Sequence, residues 1–300
     1  MTASPSTSAQ TAREAVAGRL RGIRRTKGLT VVGLAHRCGW HHAKVSRIEN
    51  AKTPPSPTDI RLWCTHCEAT DQAEDLIAAS LNAESLYTEW RRRTRHGLRQ
   101  LQDSYLELFR ATRLFRVYTP TLVPGLLQTE GYAQALLSLN ADLLEAPNDA
   151  EAAAKARVER SRIIHQSGHR FLLVMEESAL RFQLGNHDAM AGQLGYLLTA
   201  GALPAVSLGI IPSDTPERIL WPQELFHVYD DTLVSVELLS AQVNVTQPSE
   251  IALYLKAFEQ LRSMAVYGAD ARSLITRAIG ALDRTERDET PPPPEGEKGI

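Results

Sequence analysis

Between Gly39 and Asn50 the chain reads GWHHAKVSRIEN, and His41, His42, Lys44 and Arg47 crowd donors and cations into two helical turns. On a helix of 3.6 residues per turn, Val45 and Ile48 share an inward face while these four side chains point out. An outward face of this kind suits a surface rich in hydrogen-bond acceptors. Arg and Lys pair with O6 and N7 of guanine in the DNA major groove, and a small side chain such as Ala43 can meet a thymine methyl. A solvated helix face is the alternative, and the surrounding elements decide between the two.

Those elements are short helices. Leu29–Asn50, LTVVGLAHRCGWHHAKVSRIEN, reads as two of them: Thr30 caps the first, Gly39 makes the turn, and the second begins at about His41. Two helices joined by a Gly turn, the second with an exposed polar face, fit a helix-turn-helix. An earlier helix is predicted from Ala12 to Lys27, with Val16, Leu20 and Ile23 inward and Arg21, Arg24, Arg25 and Lys27 in its last turn, where cations are favoured. The prolines of AKTPPSPTD exclude helix, after which Ser56 or Thr58 can cap a fourth helix and Asp71 a fifth.

On Leu29, Leu34-Ala35, Gly39 and the run Val45-Ser46-Arg47-Ile48-Glu49-Asn50, the segment resembles the phage-repressor (Xre-type) helix-turn-helix family. The resemblance implies an ion pair between Arg24 and Glu49 that pins the first helix to the recognition helix. It implies base reading by His41, His42, Ala43, Lys44 and Arg47. Phosphate contacts are expected at Arg24, Arg25, Lys27, Thr30, Asn50 and Lys52. The partner would be double-stranded DNA, met by a homodimer on a roughly palindromic site with half-sites about one helical turn apart. Val31 stands where the family usually has Gln. That departure favours an alternative, an interaction hub whose motif does not read DNA.

Composition agrees with a basic head on an acidic remainder. The net charge is -2, yet from Arg13 to Cys67 eleven Lys/Arg face three acids, a balance of +8. A basic module at one end suits phosphate binding at that end. Three hundred residues, 43% of them hydrophobic, allow two domains. No apolar run approaches the ~20 residues that cross a bilayer, and residues 1–10 lack a signal peptide's apolar core. Three cysteines make no disulfide framework. A cytoplasmic protein without membrane contact is expected.

Cys64 and Cys67, with His66 between them, form half a zinc motif. They also share an apolar helical face with Ile60 and Trp63, and core packing is the preferred reading, with metal or redox use as the alternative. No metal and no cofactor are expected. No phosphate loop, nucleophile elbow, zinc-protease or dinucleotide motif occurs. Glu176-Glu177 ends an expected strand, where adjacent side chains face opposite ways, so one should be buried and one exposed. His165, His169, His187 and His227 show no ligand spacing. No catalytic function is expected.

Residues 74–113 read as a helix with a break at Gly97, linking head to body, and Arg91–His96 as a solvated basic face. The body starts near Phe115. Strands are expected at Arg116–Thr119, at FLLVMEES, at VSLGIIP, at Leu225–Tyr229 and at Leu233–Leu239. Helices are expected over 150–166, Asp188–Ala202, Pro248–Tyr267 and Asp270–Asp283. The fold class is therefore α+β: an all-α five-helix head, a helical linker, and a mixed α/β C-terminal domain with a small sheet flanked by helices. The expected divisions are 1–11 disordered, 12–80 head, 81–113 linker, 114–284 C-terminal domain and 285–300 disordered.

The block YTPTLVPGLLQTEGYAQAL, the helix with Arg157 and Arg160, FLLVMEESALRFQLG, and LPAVSLGIIP with ELFHVYDDTLVSVELL resemble a large uncharacterised C-terminal domain attached to Xre-type heads in actinobacteria. That resemblance implies a transcriptional regulator whose C-terminal domain binds a small protein encoded by a neighbouring gene, in an antitoxin-like arrangement. The alternative is a small-molecule effector in a pocket lined by Trp221, Phe226 and Tyr229.

Overall fold

A computed structural model describes residues 5–81 and 87–289. The chain divides into two units: residues 1–88 with 231–236 and 241–255, and residues 89–230 with 237–240 and 256–300.

The first unit opens with α1 (Pro5–Thr26), α2 (Val31–Cys38), α3 (His42–Glu49), α4 (Pro57–His66) and α5 (Ala73–Leu81). The expected five-helix head is present. Helix α1 begins seven residues before the predicted start at Ala12, so 5–11 are helical rather than disordered. The reason is local: Pro5 suits a first helical position, and no residue between it and Ala12 breaks a helix. Val16, Leu20, Leu34, Val45, Ile48, Ile60, Trp63 and Leu76 form one buried cluster. Trp63 is wholly buried, and its indole N–H donates to the Leu20 carbonyl at 3.0 Å. Cys64 and Cys67 belong to this core, and burial pushes the Cys38 and Cys64 thiols up to about 11. Among the described residues no group of three or more His, Cys, Asp or Glu could hold a metal ion.

A short strand, β1 (Tyr87–Glu89), precedes α6 (Trp90–Arg93), α7 (Leu98–Asp103) and α8 (Leu106–Ala111). The expected 74–113 helix, broken at Gly97, is instead most of α5, then a strand and three short helices. Gly97, at φ +100°, supplies the predicted break. Residues 89–113 also belong to the second unit rather than to a linker. Leu98 packs with Ala133, Leu137, Ala150, Ala153 and Ala154, and the Asp149 carboxylate accepts the Leu98 and Arg99 backbone N–H groups at 2.7 and 3.0 Å.

The second unit continues with β2 (Leu114–Thr119), α9 (Glu130–Leu144), α10 (Ala150–Ser161), β3 (Arg170–Glu176), α11 (His187–Ala200), β4 (Val206–Ile211) and β5 (Phe226–Tyr229). Strand β2 lies between β3, parallel with Phe115 opposite Phe171, and β5, antiparallel with Phe115 opposite Tyr229. Strand β4 adds parallel to β3 with Phe171 opposite Val206. Parallel strands covered on both faces read as continuous apolar runs, which makes FLLVME of β3 and VSLGII of β4 legible in the sequence. Strands β6 (Leu233–Glu237) and β7 (Ala241–Val245) follow, with α12 (Pro248–Met264) and α13 (Gly268–Glu289). The C-terminal region is mixed α/β, a sheet flanked by helices. Helix α13 runs past the expected end at Asp283, through charged residues that favour helix.

The expectation that one of the two adjacent acids is exposed fails here. Glu176 and Glu177 are both buried. A 3-10 turn begins at Glu177, so strand alternation no longer applies. Glu176 accepts from Arg218 Nη2 at 2.6 Å and from the Tyr118 hydroxyl at 2.9 Å; Glu177 accepts from the Ser213 N–H and from Arg181. Both are structural carboxylates. No helix among the described residues is long and apolar enough to cross a membrane.

Candidate nucleic-acid interface

The turn between α2 and α3 is built as the residue types dictate. Thr30 Oγ1 accepts the Gly33 N–H at 2.9 Å and caps α2. Gly39 ends it in the left-handed region, φ 68°, with its N–H directed to the Ala35 and His36 carbonyls. His41 is the N-cap of α3 rather than its first helical residue: its Nδ1 accepts the Ala43 N–H at 3.3 Å. That leaves Nε2 as the outward donor. The His41 and His42 rings lie 4.2 Å apart between centroids. Val45 and Ile48 are buried beneath, as the spacing predicts.

The helix is clamped from below. Arg24 Nε and Nη2 donate to the two Glu49 carboxylate oxygens at 2.5 and 3.0 Å, while Nη1 reaches the Leu29 carbonyl. Both side chains are buried, and the bond to Glu49, with its charge, holds the Arg24 pKa above the usual value against the opposing effect of burial. The expected ion pair is present. Arg24 as a phosphate contact is a correction: all three guanidinium nitrogens are engaged inside the head. Arg21 adds a second clasp by donating through Nη2 to the Glu49 carbonyl oxygen. Arg21 carried no assigned role from the sequence, although its position three before Arg24 on one helical face was the available signal.

Lys44 is the second correction. Its Nζ donates to Asp59 Oδ1 at 2.5 Å and lies 4.3 Å from the Trp40 ring centroid. Asp59 in turn completes the capping box with Ser56 at the start of α4. Lys44 therefore joins α3 to α4 and is not an outward donor. Lys27 is likewise paired, to Glu68. Asn50 caps α3 by donating from Nδ2 to the Ser46 carbonyl at 2.7 Å.

What remains outward is coherent. His41, His42 and Arg47 are exposed, with Ala43 half-buried beside them, and Arg47 has no side-chain partner among the described residues. Arg25 and Lys52 are exposed cations near the ends of α1 and α3. Val31, where a Gln was expected, packs against the core, while Val32 is 64% exposed at the start of α2.

A helix-turn-helix domain matches residues 15–76, the span that holds all of this geometry. A domain of unknown function, DUF5753, matches residues 102–277, more than half of the chain. The chain belongs to the DUF5753 family. No curated protein matches it. In this DUF5753 chain the helix-turn-helix match supports a DNA-binding regulator.

The expected ligand residues of the C-terminal domain divide. Trp221 is 72% exposed and is not on the wall of the cavity that Tyr229 lines. Phe226 is buried against Tyr118, ring centroids 5.7 Å apart, as a core residue. Tyr229 does line a cavity, together with Arg157, Arg160 and His227. From the sequence the two arginines carry no ligand role; they only mark a helix shared with the resembling C-terminal domain. The signal was there: Ala150, Ala153 and Ala154 are buried, and a stripe at three- and four-residue steps from them reaches Arg157 and Arg160.

Proposed function

We propose that this protein is a transcriptional regulator that binds a roughly palindromic operator as a homodimer and lays α3 against base edges in the major groove. The observation that carries the reading is the exposed, unpaired Arg47 on a helix whose opposite side is fixed by the buried Arg24–Glu49 pair. A donor held in one geometry discriminates bases; a mobile one does not. His41, His42 and Ala43 complete the base-facing set. Arg25 and Lys52, with Thr30 and Asn50 at helix ends, position the head on phosphates. Lys44 and Arg24 act through geometry. The reading includes no catalytic step.

Resemblance of the C-terminal domain to those attached to Xre-type heads supports a small protein encoded nearby as its partner, in an antitoxin-like circuit. A second reading, a small-molecule effector of that domain, is favoured by the cavity lined by Tyr229, Arg157 and Arg160. Selection of bound duplexes from a random pool tests the main reading. It should enrich an inverted repeat with half-sites about 10 base pairs apart. Enrichment of no sequence would contradict it.

A further inference from the structure

The cavity in the second unit measures ≈ 500 Å³, inside the ~300–1,000 Å³ range of small-molecule sites. Its wall is apolar and aromatic over Leu101, Tyr105, Phe109, Leu136 and Leu137, and its cationic groups are Arg157 and Arg160. Both guanidinium groups have neutral partners. Arg157 Nε donates to Gln102 Oε1 at 3.1 Å and its Nη1 to Gln128 Oε1 at 2.6 Å. Arg160 Nη1 donates to the Gln102 carbonyl at 3.0 Å, and its guanidinium carbon stands 4.6 Å from the Phe109 ring centroid and 5.1 Å from that of Tyr105. Arg160 Nε is shut off from solvent and has no hydrogen-bond partner among the described residues. Among the described residues neither arginine forms an ion pair with a carboxylate. Glu237, also on the wall, is exposed and acts on them only from a distance.

Two half-buried like charges with no carboxylate within ion-pair distance among the described residues are costly. Burial, followed by the field of Arg157, lowers the Arg160 pKa to about 10, which still leaves it cationic at neutral pH. Burial also lowers the pKa of His227 on the same wall, leaving the two arginines as its cationic groups.

We infer that this cavity binds a small organic anion, its acidic group against Arg157 and Arg160 and its apolar body against Tyr105, Phe109, Leu136 and Leu137. The inference rests on the effector reading of the C-terminal domain and gives that effector a chemical class. It does not need α3 to read DNA.

Fluorescence titration of the full chain with two probes tests it: 1-anilinonaphthalene-8-sulfonate, and N-phenyl-1-naphthylamine, which has the same body without the charge. The anionic probe should bind one per chain and more tightly than the neutral one. Arg157→Met and Arg160→Met should each weaken it about tenfold or more while leaving the neutral probe unchanged. Should either variant fail to melt cooperatively, Asn140→Trp, on the cavity wall with both arginines intact, should weaken both probes. Equal affinity for the two probes, an anionic probe indifferent to folded arginine variants, or no saturable binding of either would overturn the inference. No DNA enters the assay, and Arg47→Ala should bind both probes as wild type does. Failure here is therefore separable from failure of the DNA reading.

Discussion

Arg24, Glu49, Lys44 and Asp59 show how a residue's charge can serve a site without touching its ligand. Removing one member of a buried pair strands the other, at a cost of about 3–5 kcal/mol. Arg24→Met and Glu49→Gln should each destabilise the head by roughly that amount in urea unfolding. The double variant should cost clearly less than the two single costs added, because the pair is one interaction. Additive costs would mean that the two residues stabilise the head separately. Asp59 makes a pH argument. Burial raises its pKa, but hydrogen bonds from Lys44 and Ser56 outweigh this, and the net shift is downward. A carboxylate with a lowered folded pKa contributes stability above its unfolded pKa, and that contribution is lost as pH falls through the lowered value. Asp59→Asn should therefore be less stable than wild type at pH 7. The gap should close below the ordinary aspartate range. A gap that persists at pH 2 would remove Asp59 ionisation as its cause.

At the scale of elements, caps and turns were the most legible features because each depends on one or two residues. Thr30, Gly39 and Ser56 occupy the positions their chemistry suggests, with Gly39 at φ 68°. Gly39→Ala, forced into the left-handed region, should lower head stability by about 1 kcal/mol, and Ser56→Ala by a similar ~1 kcal/mol. Unchanged melting of both would show that the turn and cap contribute nothing. Apolar strands such as β3 and β4 were equally plain. Strand β7, absent from the expected strands, does carry a strand signal, with Ala241, Val243 and Val245 alternating with Gln242 and Asn244. For the 74–113 segment, periodicity alone gives one helix broken at Gly97, because the apolar spacing persists where the structure has α5, a strand and three short helices. Lys44 was placed outward because a helical wheel cannot know that Asp59, fifteen residues on, stands within reach. The arginine-lined cavity was illegible for a related reason: it depends on which helix covers which, and a cationic side chain in an Ala-rich helix reads as solvated.

At the scale of the molecule, a stretch from Arg13 to Cys67 of charge +8 belongs to a chain of net charge -2. Binding through a few phosphate contacts releases counter-ions, so affinity should fall steeply with salt. Lys52→Ala should reduce the slope of log K against log salt by about 1, with little change in sequence preference. A slope equal to wild type would remove Lys52 from the phosphate set. The oligomeric state belongs here as well. A palindrome demands two heads, and light scattering on the DNA-bound protein should give two chains per inverted repeat; one chain per repeat would contradict the dimer.

The most direct test of the central claim is fluorescence anisotropy with the enriched duplex and its scrambled counterpart, comparing wild type with Arg47→Ala at one fixed salt concentration. Wild type should prefer the enriched duplex. The variant should lose about 1–3 kcal/mol on that duplex and much less on the scrambled one, so the preference shrinks. If Arg47→Ala keeps the wild-type ratio between the two duplexes, α3 does not read bases through that residue, and the account fails at its centre.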